Sequence, residues 1–200
     1  MEEGFVDLCG AVPGLRAEIR YATAHNLTGR PLAGYLAPRA LGTRESAAAL
    51  QKAMEAARRM GYGLLVYDAY RPQKAVDDFL AWGSLPEDGQ TRGEFYPELR
   101  KEDLFPMGYI ARRSGHSRGS VVDLTLTRDG QPVDMGSCFD FMSLRSHHGF
   151  AELTEEQRQN RALLRGIMAW AGFAPYECEW WHYRLMDEPY PNTYFDFDIT

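Results

Sequence analysis

Residues 114–124, SGHSRGSVVDL, set His116 seven positions ahead of Asp123, a carboxylate inside the apolar run Val121-Val122-Asp123-Leu124. A lone ionised carboxylate in such a strand is expensive unless it is paired or binds a metal. His116 is one candidate co-ligand. A second stretch, ECEWWHYRL at 177–185, carries Glu179 and His182 three positions apart. On a helix these two share a face. In a regular strand they point to opposite faces. The aromatic run favours a strand, so the chain must bend or bulge near Trp180-Trp181 for both to reach one site.

The chemistry that suits this set is metal-assisted hydrolysis. A catalytic zinc takes three protein ligands and keeps one position open; His116, Asp123 and His182 supply two imidazoles and a carboxylate. Zinc lowers the pKa of bound water to about 7. A carboxylate outside the ligand set must then take the water's proton and pass it to the leaving amine, and Glu179 stands beside a ligand for that role. Other residues compete. His147 and His148 are adjacent, rarely able to reach one ion together, and read as loop or supporting groups. His25, in TAHNLTGR, reads as a solvent-facing turn residue, and Glu177 ranks behind Glu179 by its spacing to His182.

The elements that must position these groups are legible around them. TRESAAALQKAMEAARRM (43–60) predicts a helix capped by Thr43 and stopped by Gly61. Leu64 to Tyr67 reads as a short buried strand, and Pro72 opens a second helix ending at Gly83. Residues 84–108 are polar and rich in Pro and Gly, predicting a long, mostly irregular excursion of the kind that borders binding sites. Gly119 to Thr127 reads as a strand, turned at Asp129-Gly130 into PVDM. Thr154 and Gln157 form a reciprocal cap pattern for a third helix that stops at Gly172, and APYECEWWHYRL reads as one late strand. The order predicts an α+β fold, a mainly antiparallel central sheet flanked by helices in one domain spanning 1–200.

Bulk properties narrow the partners. The 200 residues are 44% hydrophobic and 25% charged, ordinary for one globular domain. A net charge of −6 with no Lys/Arg stripe argues against nucleic acid. Cys9, Cys138 and Cys178 form neither a disulfide framework nor a C-x-x-C site. No segment has the length and apolarity of a membrane span, and the acidic N-terminus lacks a signal-peptide run. A cytoplasmic location is the resulting expectation.

With both stretches in view, the sequence resembles the VanX-type D-Ala-D-Ala dipeptidases, part of a group of zinc D,D-peptidases whose fold is shared with Hedgehog signalling domains. The family pattern S-x-H-x-x-G-x-A-x-D matches Ser114, His116, Gly119 and Asp123, with Val121 where alanine is usual. The pattern E-x-x-H with paired tryptophans matches Glu179, Trp180, Trp181 and His182. Similar stretches at 18–35, 66–73, 103–120 and 134–148 extend the likeness collinearly over most of the chain.

That resemblance implies one zinc ion on His116, Asp123 and His182, with Glu179 as general base and later acid. It implies Arg71 as the oxyanion stabiliser, for which a permanently charged fork of donors is suited; the alternative is a structural salt bridge. Asp140 would hold the substrate's ammonium, with Tyr21 and Ser114 adding hydrogen bonds; the alternative for Asp140 is a loop cap. The implied substrate is the free dipeptide D-Ala-D-Ala, in glycopeptide resistance or D-alanine recycling, and a homo-oligomer stays open. Two other readings stand beside it: a D,D-carboxypeptidase acting on peptidoglycan stem peptides, and a zinc-stabilised binding domain without catalysis. The presence of both Glu179 and Arg71 weighs against the latter.

Overall fold

Strand alternation and helix amphipathicity give the chain a sheet, helices packed on it, and a crown of loops. The computed structural model describes residues 2–200. In chain order the elements are β1 (Phe5–Asp7), α1 (Leu8–Ala11), β2 (Arg16–Ala17), β3 (Leu41–Thr43), α2 (Arg44–Arg59), β4 (Gly63–Asp68), α3 (Gln73–Gly83) and α4 (Arg92–Phe95). There follow β5 (Val121–Arg128), β6 (Gln131–Pro132), α5 (Glu155–Trp170), β7 (Phe173–Tyr176) and β8 (Glu179–Leu185). The main sheet runs β2-β4-β5-β8-β7, with β6 paired to β5, and β1 and β3 form a small separate ladder.

The expected α+β architecture is present. All main-sheet pairings are antiparallel except β2 with β4, a two-residue parallel contact too short to read in sequence. Thr43 caps α2 by accepting the Ser46 N–H at 3.2 Å, and Gly61 beyond its end takes φ +80°. Thr154 and Gln157 make the reciprocal box at the start of α5. Asp129 and Gly130 both take positive φ, the requirement of a two-residue hairpin turn whose twist matches its strands.

The late aromatic run is not one strand. It is the hairpin β7–β8, turned at Glu177-Cys178. The 84–108 excursion is irregular apart from α4 and a 3-10 turn at Lys101–Asp103.

β5 is the central rod. Alternation sends Leu124 and Leu126 to one face and Asp123 and Thr125 to the other, and all four are buried. Helices α2 and α5 pack on the sheet and on each other, with Leu50, Met54, Leu164 and Met168 in the same core as Leu124. Truncating Leu124 to Ala in such a core would cost about 2–5 kcal/mol. The C-terminal segment ties the site loops together: Phe195 N–H donates to Ser117 O at 2.8 Å, and Phe195 O accepts from Gln73 N–H at 3.0 Å. Among the described residues no helix is long and apolar enough to cross a membrane.

Candidate active site

The loop before β5 is built to aim one imidazole. Ser114 Oγ accepts the His116 N–H at 3.2 Å and starts a 3-10 turn. Gly119 closes it at φ +81°, where an added Cβ would collide with the Phe5 ring. His116 is buried, and its Nδ1 lies 2.7 Å from Ala69 O. A carbonyl can only accept, so Nδ1 carries a hydrogen and Nε2 is the nitrogen left to face the site. Nε2 looks toward Asp123 Oδ2 at 3.3 Å and His182 Nδ1 at 3.3 Å.

Asp123 and His182 meet because they are direct partners in the β5–β8 ladder, which places opposed side chains on one face. Asp123 Oδ1 lies 3.1 Å from His182 Nδ1, yet it is buried and, among the described residues, has no hydrogen bond of proper geometry. One ligating atom from each of His116, Asp123 and His182 falls within 4.8 Å of the others. Electron-pair donors converging on one another, with a buried carboxylate oxygen left over, form a set that a divalent cation satisfies. Two imidazoles and a carboxylate suit zinc with an open position.

Glu179 reaches the same place through a register jump. Pro175 pairs with Tyr183, but Tyr176 pairs with Glu179, so one step on β7 spans four on β8. The irregularity lets Glu179 and His182 turn inward together, with Glu179 Oε2 3.4 Å from His182 Nδ1. The bend expected near the tryptophans is therefore present. Trp180 and Trp181 anchor it as buried side chains, and Trp180 Nε1 donates to Ser137 Oγ at 2.9 Å.

Burial sets the electrostatics. It pushes the Glu179 carboxyl up to about 7, only partly offset by His182. For Asp123 burial works in the same direction, but the imidazoles of His116 and His182 outweigh it and hold the carboxyl well below the usual carboxylate range. Burial opposes charge on His182 too, yet Asp123 raises it overall.

Arg71, just before α3, lies over the Tyr21 ring, with Cζ 4.7 Å from its centroid. Its Nε donates to Asp68 Oδ2 at 2.9 Å, and one terminal nitrogen is 3.7 Å from Asp123 Oδ2. Arg71 is thus salt-bridged and also faces the site. Asp140 is buried at φ +61°, a left-handed conformation Asp tolerates. Its two oxygens accept from Tyr21 OH at 3.0 and 2.8 Å. Burial pushes its carboxyl well up, against the Tyr21 hydrogen bond. A cavity of about 230 Å³ joins Tyr21, Arg71, Ser114, His116, Asp123, Asp140, Glu179 and His182. All eight residues expected in the site border this one space.

The M15 peptidase family model described as D-Ala-D-Ala dipeptidase matches residues 1–200. The chain belongs to this family. It is 50% identical to the D-alanyl-D-alanine dipeptidase of Streptomyces coelicolor over 190 residues, 94% of each chain. It is 48% identical to that of Enterococcus faecalis over 202 residues, covering both chains fully, and 35% identical to that of Escherichia coli, covering 90% of this chain and 83% of that one. A crystal structure of a mutant of the vancomycin resistance D,D-pentapeptidase VanY in complex with Zn(II) is similar at TM-score 0.45 and 17% identity over 76% of each chain.

In this family member the competing residues stand apart from the cluster. Glu177 is paired with Arg165 at 2.7 Å, and His25 with Glu94 at 2.7 Å. His147 contacts Tyr109, while burial lowers the His148 pKa to about 4. Sequence reasoning misses Asp68. It is fully buried, accepts from Tyr35 OH at 2.6 Å, and orients Arg71. The signal was a lone carboxylate in an apolar strand, GLLVYD, the same signal that marks Asp123.

Proposed function

We propose that the chain hydrolyses free D-Ala-D-Ala to two D-alanines, using one zinc ion held by His116 Nε2, Asp123 and His182 Nδ1. The observation that carries this is the convergence of those three donors within 4.8 Å, with Glu179 Oε2 3.4 Å from His182 Nδ1. When bound, zinc would acidify a water and polarise the scissile carbonyl. Glu179 takes the proton from the attacking water and returns it to the departing amine. A buried carboxyl near 7 suits both halves of that transfer. Arg71 points its guanidinium at the developing oxyanion, held by Asp68 and stacked on Tyr21. Asp140 receives the substrate ammonium at the far wall, with Tyr21 fixing the carboxylate, and Ser114 lines the same cavity.

The space supports a small substrate. About 230 Å³ gives room for a small ligand such as a dipeptide. A cytoplasmic setting, where free dipeptide would be met, belongs to the same reading. The test is hydrolysis of free D-Ala-D-Ala against its N-acetylated form, with chelator and zinc-restored controls. Zinc-dependent cleavage confined to the free dipeptide is expected. Equal cleavage of both would point to the carboxypeptidase, and cleavage that survives chelation would remove the metal.

A further inference from the structure

A dipeptide is a zwitterion, and Asp140 accounts for only its positive end. The cavity must also receive a carboxylate while already carrying Asp123, Asp140 and Glu179 in its walls. Cations there are few. The Arg71 guanidinium is paired with Asp68 at 2.9 Å and, in the reading above, serves the oxyanion, and the two imidazoles face Asp123. The remaining cation in the lining is Arg113. It has no carboxylate within salt-bridge distance among the described residues, whereas its neighbour along the loop, Arg118, is paired with Glu188 at 2.8 Å.

Arg113 is also oriented. Its Cζ lies 5.0 Å from the centroid of the Tyr194 ring, a cation–π placement that fixes the stem and leaves the donors free. Ala111 and Arg113 are exposed at the rim of the cavity they line, and among the described residues their backbone N–H groups find no acceptor, so they face the solvent through which a ligand enters. An unpaired guanidinium beside unpaired amides is chemistry for an anion, and a planar carboxylate fits the guanidinium fork.

We propose that Arg113 holds the free α-carboxylate of the substrate, so that the loop before Ser114 selects for an unblocked C-terminus as Asp140 selects for an unblocked N-terminus. This rests on the dipeptidase reading above. The experiment compares D-Ala-D-Ala with its C-terminal amide in four zinc-loaded proteins: unmodified, Arg113→Ala, Arg113→Lys and Arg112→Ala. Arg113→Ala should lose about 10- to 100-fold in kcat/KM on the free dipeptide, through KM, and change little on the amide. Arg113→Lys should recover part of that loss. Arg112 is exposed like Arg113 but does not line the cavity, so Arg112→Ala should behave as the unmodified protein. Equal losses on both substrates, or the same loss in Arg112→Ala, would overturn the assignment and leave dipeptidase activity standing. No cleavage of D-Ala-D-Ala by the unmodified protein would overturn the underlying reading, and this inference with it.

Discussion

Glu179→Gln separates what a buried general base costs the fold from what it gives to catalysis. Burial raises the Glu179 carboxyl from 4.5 to about 7, and the residue is only 9% exposed, so solvent screening is slight. A carboxyl raised on folding carries no penalty while both states are protonated, below about pH 4.5. The penalty grows as pH rises and is complete above about pH 7, where it amounts to about 3 kcal/mol. Gln keeps the shape and cannot ionise. In metal-free protein, urea unfolding should therefore give Glu179→Gln and the unmodified chain similar stabilities at pH 4.5. By pH 8 the variant should be ahead by about 3 kcal/mol. Adding zinc should narrow the gap, because a nearby cation favours the ionised carboxyl. Turnover should move the other way, falling by about 100- to 10,000-fold as expected for loss of a general base. A variant no more stable at pH 8 than at pH 4.5, relative to the unmodified chain, would refute the burial argument. Undiminished turnover would take Glu179 out of proton transfer.

Two further substitutions test the walls of the site. Asp140→Asn keeps the left-handed backbone that Asn also tolerates and removes the charge; it should cost at least about 30-fold in kcat/KM on free D-Ala-D-Ala, with a much smaller loss on any residual cleavage of an N-acylated analogue. Asp68→Ala leaves the Arg71 guanidinium without its closest partner in a buried setting, and urea unfolding should show a loss of about 3–5 kcal/mol; a loss below about 1 kcal/mol would mean that Asp123, 3.7 Å away, suffices as its counter-charge.

The readable parts of this fold are those where local chemistry and global position agree. Thr43, Thr154 with Gln157, and Asp129-Gly130 each specify a local conformation that tertiary packing leaves intact. Asp123 stands out because an apolar strand makes a lone carboxylate conspicuous, and its ladder partner His182 follows once β5 and β8 pair. The turn at Glu177-Cys178 is silent because it holds no Gly, Pro, Asn or Asp, so β7 and β8 run together in sequence. Two-residue β2 has no periodicity to detect. Asp68 bears the same mark as Asp123, but its partners Tyr35 and Arg71 come together only in three dimensions. Arg71 illustrates the same limit: ion pairing and exposure to the cavity read as alternatives in sequence and coexist in the fold.

The proposed divalent cation is gripped by residues 66 positions apart in the chain. Crystals grown with zinc and measured on both sides of its absorption edge test it most directly. A single strong anomalous peak is expected within bonding distance of His116 Nε2, an Asp123 oxygen and His182 Nδ1, with Glu179 nearby but not ligating. A peak on His147 or His148, or none between the three donors, would contradict it.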